Sequence, residues 1–266
     1  MRAFYLAYSK VPVPPGQLDS LPIFRIPWWH NAVLVERLKN TDQRLWYANM
    51  TISEGWSSGA LTNAIKSDWY GRHGKAITNF KERLPAPHSH LAHDPLKSPY
   101  SFDFLEIEEL HKEVDLERGL VAHVEKLLTE LGCGFAFIGK QVHLEVAGND
   151  YYLDLLFYHT RLRCYVVVEL KAVPFAPEFA GKLNFYLSAV DDLMRHPHDQ
   201  PTIGLLICKS KNDLIVEYAL RDLNKPIGVA EYETKIVSSL PKDLRGALPS
   251  VEQLEAELSG EITPEG

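Results

Sequence analysis

The apolar positions of the chain change rhythm near residue 102. Before it they recur in short bursts at helical spacing; after it, alternating or continuous apolar runs bounded by turn residues predict strands interleaved with helices. Prolines crowd positions 12–27, after which HNAVLVERLKN predicts a helix with Val33, Leu34 and Leu38 inward. Thr41 is placed to cap DQRLWYANMTISE, which stops at Gly55, and Ser57 to cap SGALTNAIKSDWYG, which stops at Gly71. Three short helices joined by tight turns have the layout of a helix-turn-helix unit whose third helix would present Lys66 to DNA. Helices that simply pack together give the same pattern. Residues 84–100, LPAPHSHLAHDPLKSPY, interrupt the rhythm with four prolines and read as a linker.

Beyond Phe104, DLERGLVAHVEKLLTELG sets Leu116, Leu120, Val124, Leu127 and Leu131 at helical spacing, with Gly132 as the stop. FAFIGKQVHLEV, YYLDLLFYH and CYVVVELKAV then predict three strands whose connections suit antiparallel neighbours. FAPEFAGKLNFYLSAVDDLMR predicts a helix, TIGLLICKS a buried strand, KNDLIVEYALRDL a helix and IGVAEYETKI a last strand. The order is that of an α/β domain with a mixed sheet flanked by helices, preceded by a smaller all-α domain. The boundaries read as a helical domain over 1–83, a linker over 84–100, the α/β domain over 101–240 and an acidic tail over 241–266.

Composition adjusts this picture little. The 266 residues are 45% hydrophobic, ample for a real core. No apolar run has the length of a signal peptide or a membrane span, and Cys133, Cys164 and Cys208 have no paired spacing, which points to a reducing cytoplasm and no membrane. The net charge of −7 is unevenly spread: residues 1–100 hold 12 Lys+Arg against 7 Asp+Glu, leaving 16 against 28 for residues 101–266. Asymmetry of this kind hints at a polyanion-binding module joined to something else, and equally at solvated faces of unequal charge.

Several motifs are decoys. GFAFIGK (Gly134 to Lys140) has the spacing of a phosphate loop, but Gln141 follows where a Ser or Thr must hold magnesium, and the segment lies between helix and strand rather than strand and helix. His88, His90 and His93 have no cysteine or carboxylate partners at zinc spacing. The pattern Asp222, Glu233, Lys235 falls in a polar strand end, where charges cost little. The same pattern at Asp154, Glu169 and Lys171 lies inside runs of Tyr, Leu and Val, where an unpaired carboxylate costs several kcal/mol, so these residues need a strong partner or a task. Glu169 and Lys171, two apart on a strand, share a face, and the neighbouring strand can bring Asp154 to it. Two carboxylates beside an ammonium form a hard oxygen site suited to Mg²⁺ or Mn²⁺. A buried ion network that only holds two strands in register has the same appearance.

These residues carry a resemblance. A helix with an acidic residue, a hairpin ending in Asp154, a strand with Glu169-Leu170-Lys171, then helix and strand resemble the core of the PD-(D/E)xK nuclease superfamily. The text FAFIGKQVHL, YYLDLLFYHTRLRCYVVVELKAVPFAPEFAGKLNFYLSAVDD is similar to its YhcG-like family, and IPWWHNAVLVERLKNTDQRLWYANMTISEGWS to the helical domain that precedes the nuclease domain there. Leu153 stands where the superfamily name has proline, and the chain reads as starting inside the helical domain. The resemblance implies a restriction-endonuclease-like fold and a Mg²⁺- or Mn²⁺-dependent nuclease acting on DNA in repair, recombination or defence. Asp154, Glu169 and the Leu170 carbonyl would be metal ligands. Lys171 would orient and help deprotonate the attacking water and offset charge on the phosphate.

Glu125, on the helix before the strands, matches the superfamily's helical acidic residue, or is a surface glutamate. Gln141, Lys182, Tyr186, Arg161 and Arg163 are candidate nucleic-acid contacts, with His159 beside the arginines; Tyr186 reads equally as core and Lys182 as a solvated face. A homodimer would suit cutting of both strands. A non-catalytic nucleic-acid-binding or regulatory protein, or an assembly module docking by its acidic tail, are the competing readings.

Overall fold

The helices of the first half are α1 (Arg2–Tyr8), α2 (Pro22–Arg25), α3 (Trp28–Arg37), α4 (Thr41–Glu54), α5 (Ser58–Lys66) and α6 (Trp69–Arg72). The computed structural model that gives them describes residues 2–9, 11, 21–86, 88–93, 95–105 and 113–234. They close around Ile23, Leu34, Tyr47, Ala48, Leu61 and Trp69. Ser57 caps α5 through its Oγ, and Gly55, at φ 65°, ends α4 in the left-handed region that a side chain would strain. The cap of α4 is Asn40 rather than Thr41: its Oδ1 accepts the Asp42 and Gln43 N–H groups at 2.7 and 3.2 Å. The helix expected through Gly71 breaks at Asp68, which turns left-handed (φ 47°) and starts α6.

Residues 84–100 are not a free connector. After β1 (Ile77–Thr78) and α7 (Phe80–Arg83), α8 (His88–His93) leads into β2 (Tyr100–Ser101). Both short strands lie on one edge of β7 (Ile227–Glu233), antiparallel at Ile77↔Val229 and parallel at Tyr100↔Tyr232. Ala76, Phe80, Leu84, Tyr100 and Phe102 are buried in the core of the sheet rather than in that of the helical unit. His93 Nε2 lies 3.3 Å from the Ala76 carbonyl, a packing contact.

The rest of the sheet comes from β3 (Phe135–Val146), β4 (Asn149–His159), β5 (Cys164–Pro174) and β6 (Ile203–Ser210), in the order β1-β7-β6-β5-β4-β3. The β3–β4–β5 meander is antiparallel, whereas β5–β6 and β6–β7 are parallel, joined across α11 (Pro177–Leu193) and α12 (Asp213–Leu220). One face packs Leu155, Phe157, Val166, Val168, Leu170 and Leu205 against α9 (Glu113–Ala122) and α10 (Val124–Leu131). The other packs Val167, Leu206, Cys208, Ile227 and Val229 against α11 and α12. Gly204 lets α11 approach: a Cβ there would stand 2.9 Å from Leu183 and 3.0 Å from Leu187. The single helix expected over 115–132 is two, broken at His123 (φ −115°, ψ 38°).

Buried charges join the helical unit to the sheet. The Arg72 guanidinium donates to the Glu130 carboxylate and, at 2.9 Å, to the Pro99 carbonyl. Ser101 N–H donates to the same carboxylate at 2.8 Å, and the wholly buried Lys97 ammonium donates to the Glu130 carbonyl while lying 3.6 Å from the centre of the Trp69 ring. Burial pushes Lys97 down to about 8, against the pull of Glu130. Glu54, at the end of α4, accepts the Cys133 N–H at 2.7 Å and an Arg161 N–H at 3.4 Å. Among the described residues no helix is long and apolar enough to cross a membrane. The expected acidic tail, 241–266, and Lys235 lie outside the described residues.

Candidate active site

β5 is the strand that decides the site. Val166, Val168 and Leu170 enter the core against α9 and α10 and Val167 the core against α11, so alternation sends Glu169 and Lys171 to the α11 side, where both are buried. The β4–β5 ladder ends at Leu155↔Val168, just before Asp154 would meet Glu169. The Leu170 N–H donates instead to Asp154 Oδ2 at 2.9 Å, so a side chain satisfies a backbone donor where the two strands part.

The parting has a visible cause. On β4 alternation fails at Asp154, since Leu153 and Leu156 enter one core and Leu155 and Phe157 the other. Opposite it on β3, between the pairs Lys140↔Leu155 and Val142↔Leu153, Gln141 holds φ 47°. A left-handed glutamine costs on the order of 1–3 kcal/mol, and such strain concentrates at functional sites.

Around the two carboxylates the cations are close. Lys171 Nζ lies 2.9 Å from the Leu170 carbonyl, 2.9 Å from Glu113 Oε2 and 3.2 Å from Glu169 Oε1; Lys182 Nζ of α11 lies 2.8 Å from the same Glu169 oxygen. Gln141 Nε2 donates to the carboxylate of Glu117, one turn beyond Glu113 on α9. Burial, then the neighbouring Glu169, pushes Asp154 up to about 6, against the Leu170 N–H bond and the two lysines. For Lys171 and Lys182 burial alone would lower the value, but it is outweighed by Glu169, joined by Glu113 at Lys171 and by Tyr186 at Lys182, and both stay raised.

The donor set fits a hard divalent cation: carboxylate and carbonyl oxygens only. Among the described residues Glu169 Oε2 is buried with no hydrogen-bond partner, a costly state that a cation would relieve. No group of three or more His, Cys, Asp and Glu at metal-binding spacing is formed among the described residues. The Lys171 ammonium instead stands between the oxygens of Glu113, Glu169 and Leu170, and a cation would have to share or displace it.

The raised Asp154 has a measurable consequence without any metal. Its folded value lies above the ordinary carboxyl value near 4, so the folded state binds the proton more tightly than the unfolded one and stability falls as pH rises from about 4 to about 6. In EDTA, urea unfolding should show the wild type losing on the order of 2 kcal/mol across that window relative to Asp154→Asn. Equal pH slopes for the two proteins would refute this.

The structure gathers Asp154, Glu169, Leu170, Lys171, Gln141 and Lys182. Tyr186 is buried in the α11 core with its ring centre 5.1 Å from Lys182 Nζ. Glu125 is not brought in: the break at His123 puts it on α10, exposed, and the acidic residues facing the site are Glu113 and Glu117 of α9. Their spacing of one helical turn on the stripe of Leu116 and Leu120 was the available signal. Arg161 and Arg163 sit at the β4–β5 turn, past the five residues of β4 that follow Asp154, or roughly 17 Å. Arg161 is occupied by Ser53 and Glu54, and His159 is buried with Nδ1 accepting the Leu162 N–H. Lys66 is exposed at the end of α5.

A family model described as the YhcG PDDEXK nuclease domain matches residues 93–249, and one described as the DUF1016 N-terminal domain matches residues 1–72. The chain belongs to the YhcG family of PDDEXK nucleases. It is similar to an Escherichia coli (strain K12) protein described as "Putative nuclease YhcG", 34% identical over 263 residues, covering 89% of this chain and 70% of that one. No solved structure matches. The YhcG nuclease match starts at His93, inside the proline-rich segment that enters the sheet, and the N-terminal match ends at Arg72, the last residue of α6. The mixed sheet flanked by helices is the restriction-endonuclease-like fold of the YhcG nuclease domain.

Proposed function

We propose that the chain is a divalent-metal-dependent endonuclease that hydrolyses phosphodiester bonds of DNA, in repair, recombination or defence against foreign DNA. The observation that carries this reading is the meeting of Asp154, Glu169, the Leu170 carbonyl and Lys171 where β4 and β5 separate. A carboxylate raised by burial and by its neighbour, beside a buried carboxylate oxygen left without a partner among the described residues, supports this reading over a network that only holds two strands in register.

Asp154, Glu169 and the Leu170 carbonyl would hold Mg²⁺ or Mn²⁺, with Glu113 or Glu117 within reach of the same cluster. Such a cation, when bound, makes water a better nucleophile and offsets the charge of the phosphate. Lys171 supplies the rest. Kept cationic by Glu169 and Glu113, its Nζ has no lone pair for the water proton; its three N–H groups meet Leu170, Glu113 and Glu169, and its task is to turn one of them to a phosphate oxygen as negative charge grows there. Lys182, half exposed and tied to Glu169 and Tyr186, holds Glu169 in place and offers its remaining N–H to an adjacent phosphate. The strained Gln141, anchored by Glu117, lies opposite Asp154 where β4 leaves β5, the opening through which a strand of substrate would reach Asp154.

The test is cleavage of linear, circular and branched DNA, and of RNA, with Mg²⁺, Mn²⁺ or EDTA, beside Asp154→Ala. Cleavage of DNA in either metal, none in EDTA and none by the variant is the expected result. Metal-independent cleavage, cleavage of RNA alone, or tight binding without cleavage would each overturn the proposal.

A further inference from the structure

Past the point where β4 leaves β5, the β3–β4 hairpin continues as a two-stranded arm, paired from Val142↔Leu153 to Val146↔Asn149. Its two faces differ. Val142, Leu144, Val146, Tyr151 and Leu153 pack into the α11 core, with Tyr151 and Phe185 ring centres 4.9 Å apart. The opposite face carries His143 and Tyr152, which are register partners with ring centres 5.3 Å apart and planes at 41°. Asp150 Oδ1 holds His143 Nε2 at 2.6 Å and fixes the imidazole, while Tyr152 remains 50% exposed.

The location gives the pair its meaning. Tyr152 is two residues from Asp154 and His143 two from Gln141, so the rings stand roughly 7 Å along the arm from those two residues of the proposed hydrolytic centre, on the face turned away from α11. A large aromatic ring left half in water on the free face of a ribbon gains little from burial. Beside a phosphodiester, the natural occupant of an exposed π-face is a nucleobase. A base inside an intact duplex has both faces covered by its neighbours, and a ring carried on a strand reaches one only after unstacking that costs a few kcal/mol. An unpaired base offers its face at once.

We infer that Tyr152 and His143 form a stacking platform for an unpaired nucleobase next to the scissile phosphate, so that the substrate is a strand with single-stranded nucleotides at the cut, as in a tail, flap or gap. Both the ligand class and the nearness to a scissile phosphate rest on the nuclease reading above; the pairing of the two rings on the arm does not.

The experiment is fluorescence anisotropy of the full chain in EDTA with a labelled single strand, a tailed duplex and a blunt duplex, with cleavage in Mg²⁺ scored separately. Tyr152→Leu, which keeps apolar bulk without a π-face, should weaken binding of single strand and tail about ten-fold and leave the blunt duplex unchanged, and Tyr152→Trp should restore wild-type affinity. His143→Leu should weaken the same two ligands. Unchanged single-strand affinity in Tyr152→Leu, or an equal loss on all three ligands, would overturn the inference. A loss that tracks a lowered melting midpoint in both leucine variants would assign the pair to holding the ribbon together, and would overturn it too. Wild-type protein that binds single strands through Tyr152 yet cuts nothing refutes the nuclease reading alone; cleavage unaffected by Tyr152→Leu together with unaffected binding refutes the platform alone.

Discussion

Lys171→Met should lower the rate of DNA cleavage by about a thousand-fold at saturating Mg²⁺, the scale of losing one preorganised charge from the transition state. Methionine keeps the stem that packs toward Phe179, whose ring centre is 5.4 Å from Nζ, and removes only the charged donor. The variant still has Asp154, Glu169 and the Leu170 carbonyl, so Mg²⁺ should continue to raise its melting midpoint. Asp154→Asn should lose both cleavage and that thermal shift. Single-turnover cleavage read beside the shift separates the two roles: a Lys171→Met protein that cuts within ten-fold of wild type, or that no longer responds to Mg²⁺, would show that the ammonium is not an independent participant.

The largest stability effect is expected far from the chemistry. Glu130→Ala removes the only carboxylate described against Arg72, leaving a guanidinium buried between α6 and α10 with Lys97 close by. An unpaired buried cation costs about 3–5 kcal/mol, a large share of a typical domain's stability. Glu130→Gln, which keeps an acceptor for Arg72 and the Ser101 N–H but drops the charge, should lose about half as much. Glu125→Ala on the exposed side of the same helix should stay within about 0.5 kcal/mol of wild type. Urea midpoints at constant slope measure all three, and a Glu130→Ala protein as stable as Glu125→Ala would show the network to be idle.

What the residues disclosed in advance depended on where their partners lay. The meander and the strands β6 and β7 were legible because each is a run of β-formers between turn residues, and their pairing follows from short connections or helical crossovers. β1 and β2 were not: each is two residues long, they exist because β7 offers them a free edge, and nothing local marks them. Asp154, Glu169 and Lys171 announced themselves as charges in apolar company. Glu113 and Glu117 did not, since a glutamate on a helix reads as a solvated face until Lys171 and Gln141 are seen beside it. The break that turns Glu125 outward has no glycine or proline to mark it. His123 there has its Nδ1 3.1 Å from the Gly119 carbonyl one turn back and its ring centre 5.9 Å from that of Phe104, a neighbour that sequence order conceals.

The seal that β1 forms along β7 also bears on how the chain acquires its shape. Ile77 and Val229 are neighbours across the sheet yet about 150 positions apart in the polypeptide, so this border is among the costliest contacts to close and belongs late on the folding route. A ribosome would have released the helical unit and the meander long before β7 emerged to receive its two waiting partners. Until then Phe80, Tyr100 and Phe102 lack the strand that covers them, and a nascent chain would be most exposed to chaperones and proteases during that interval.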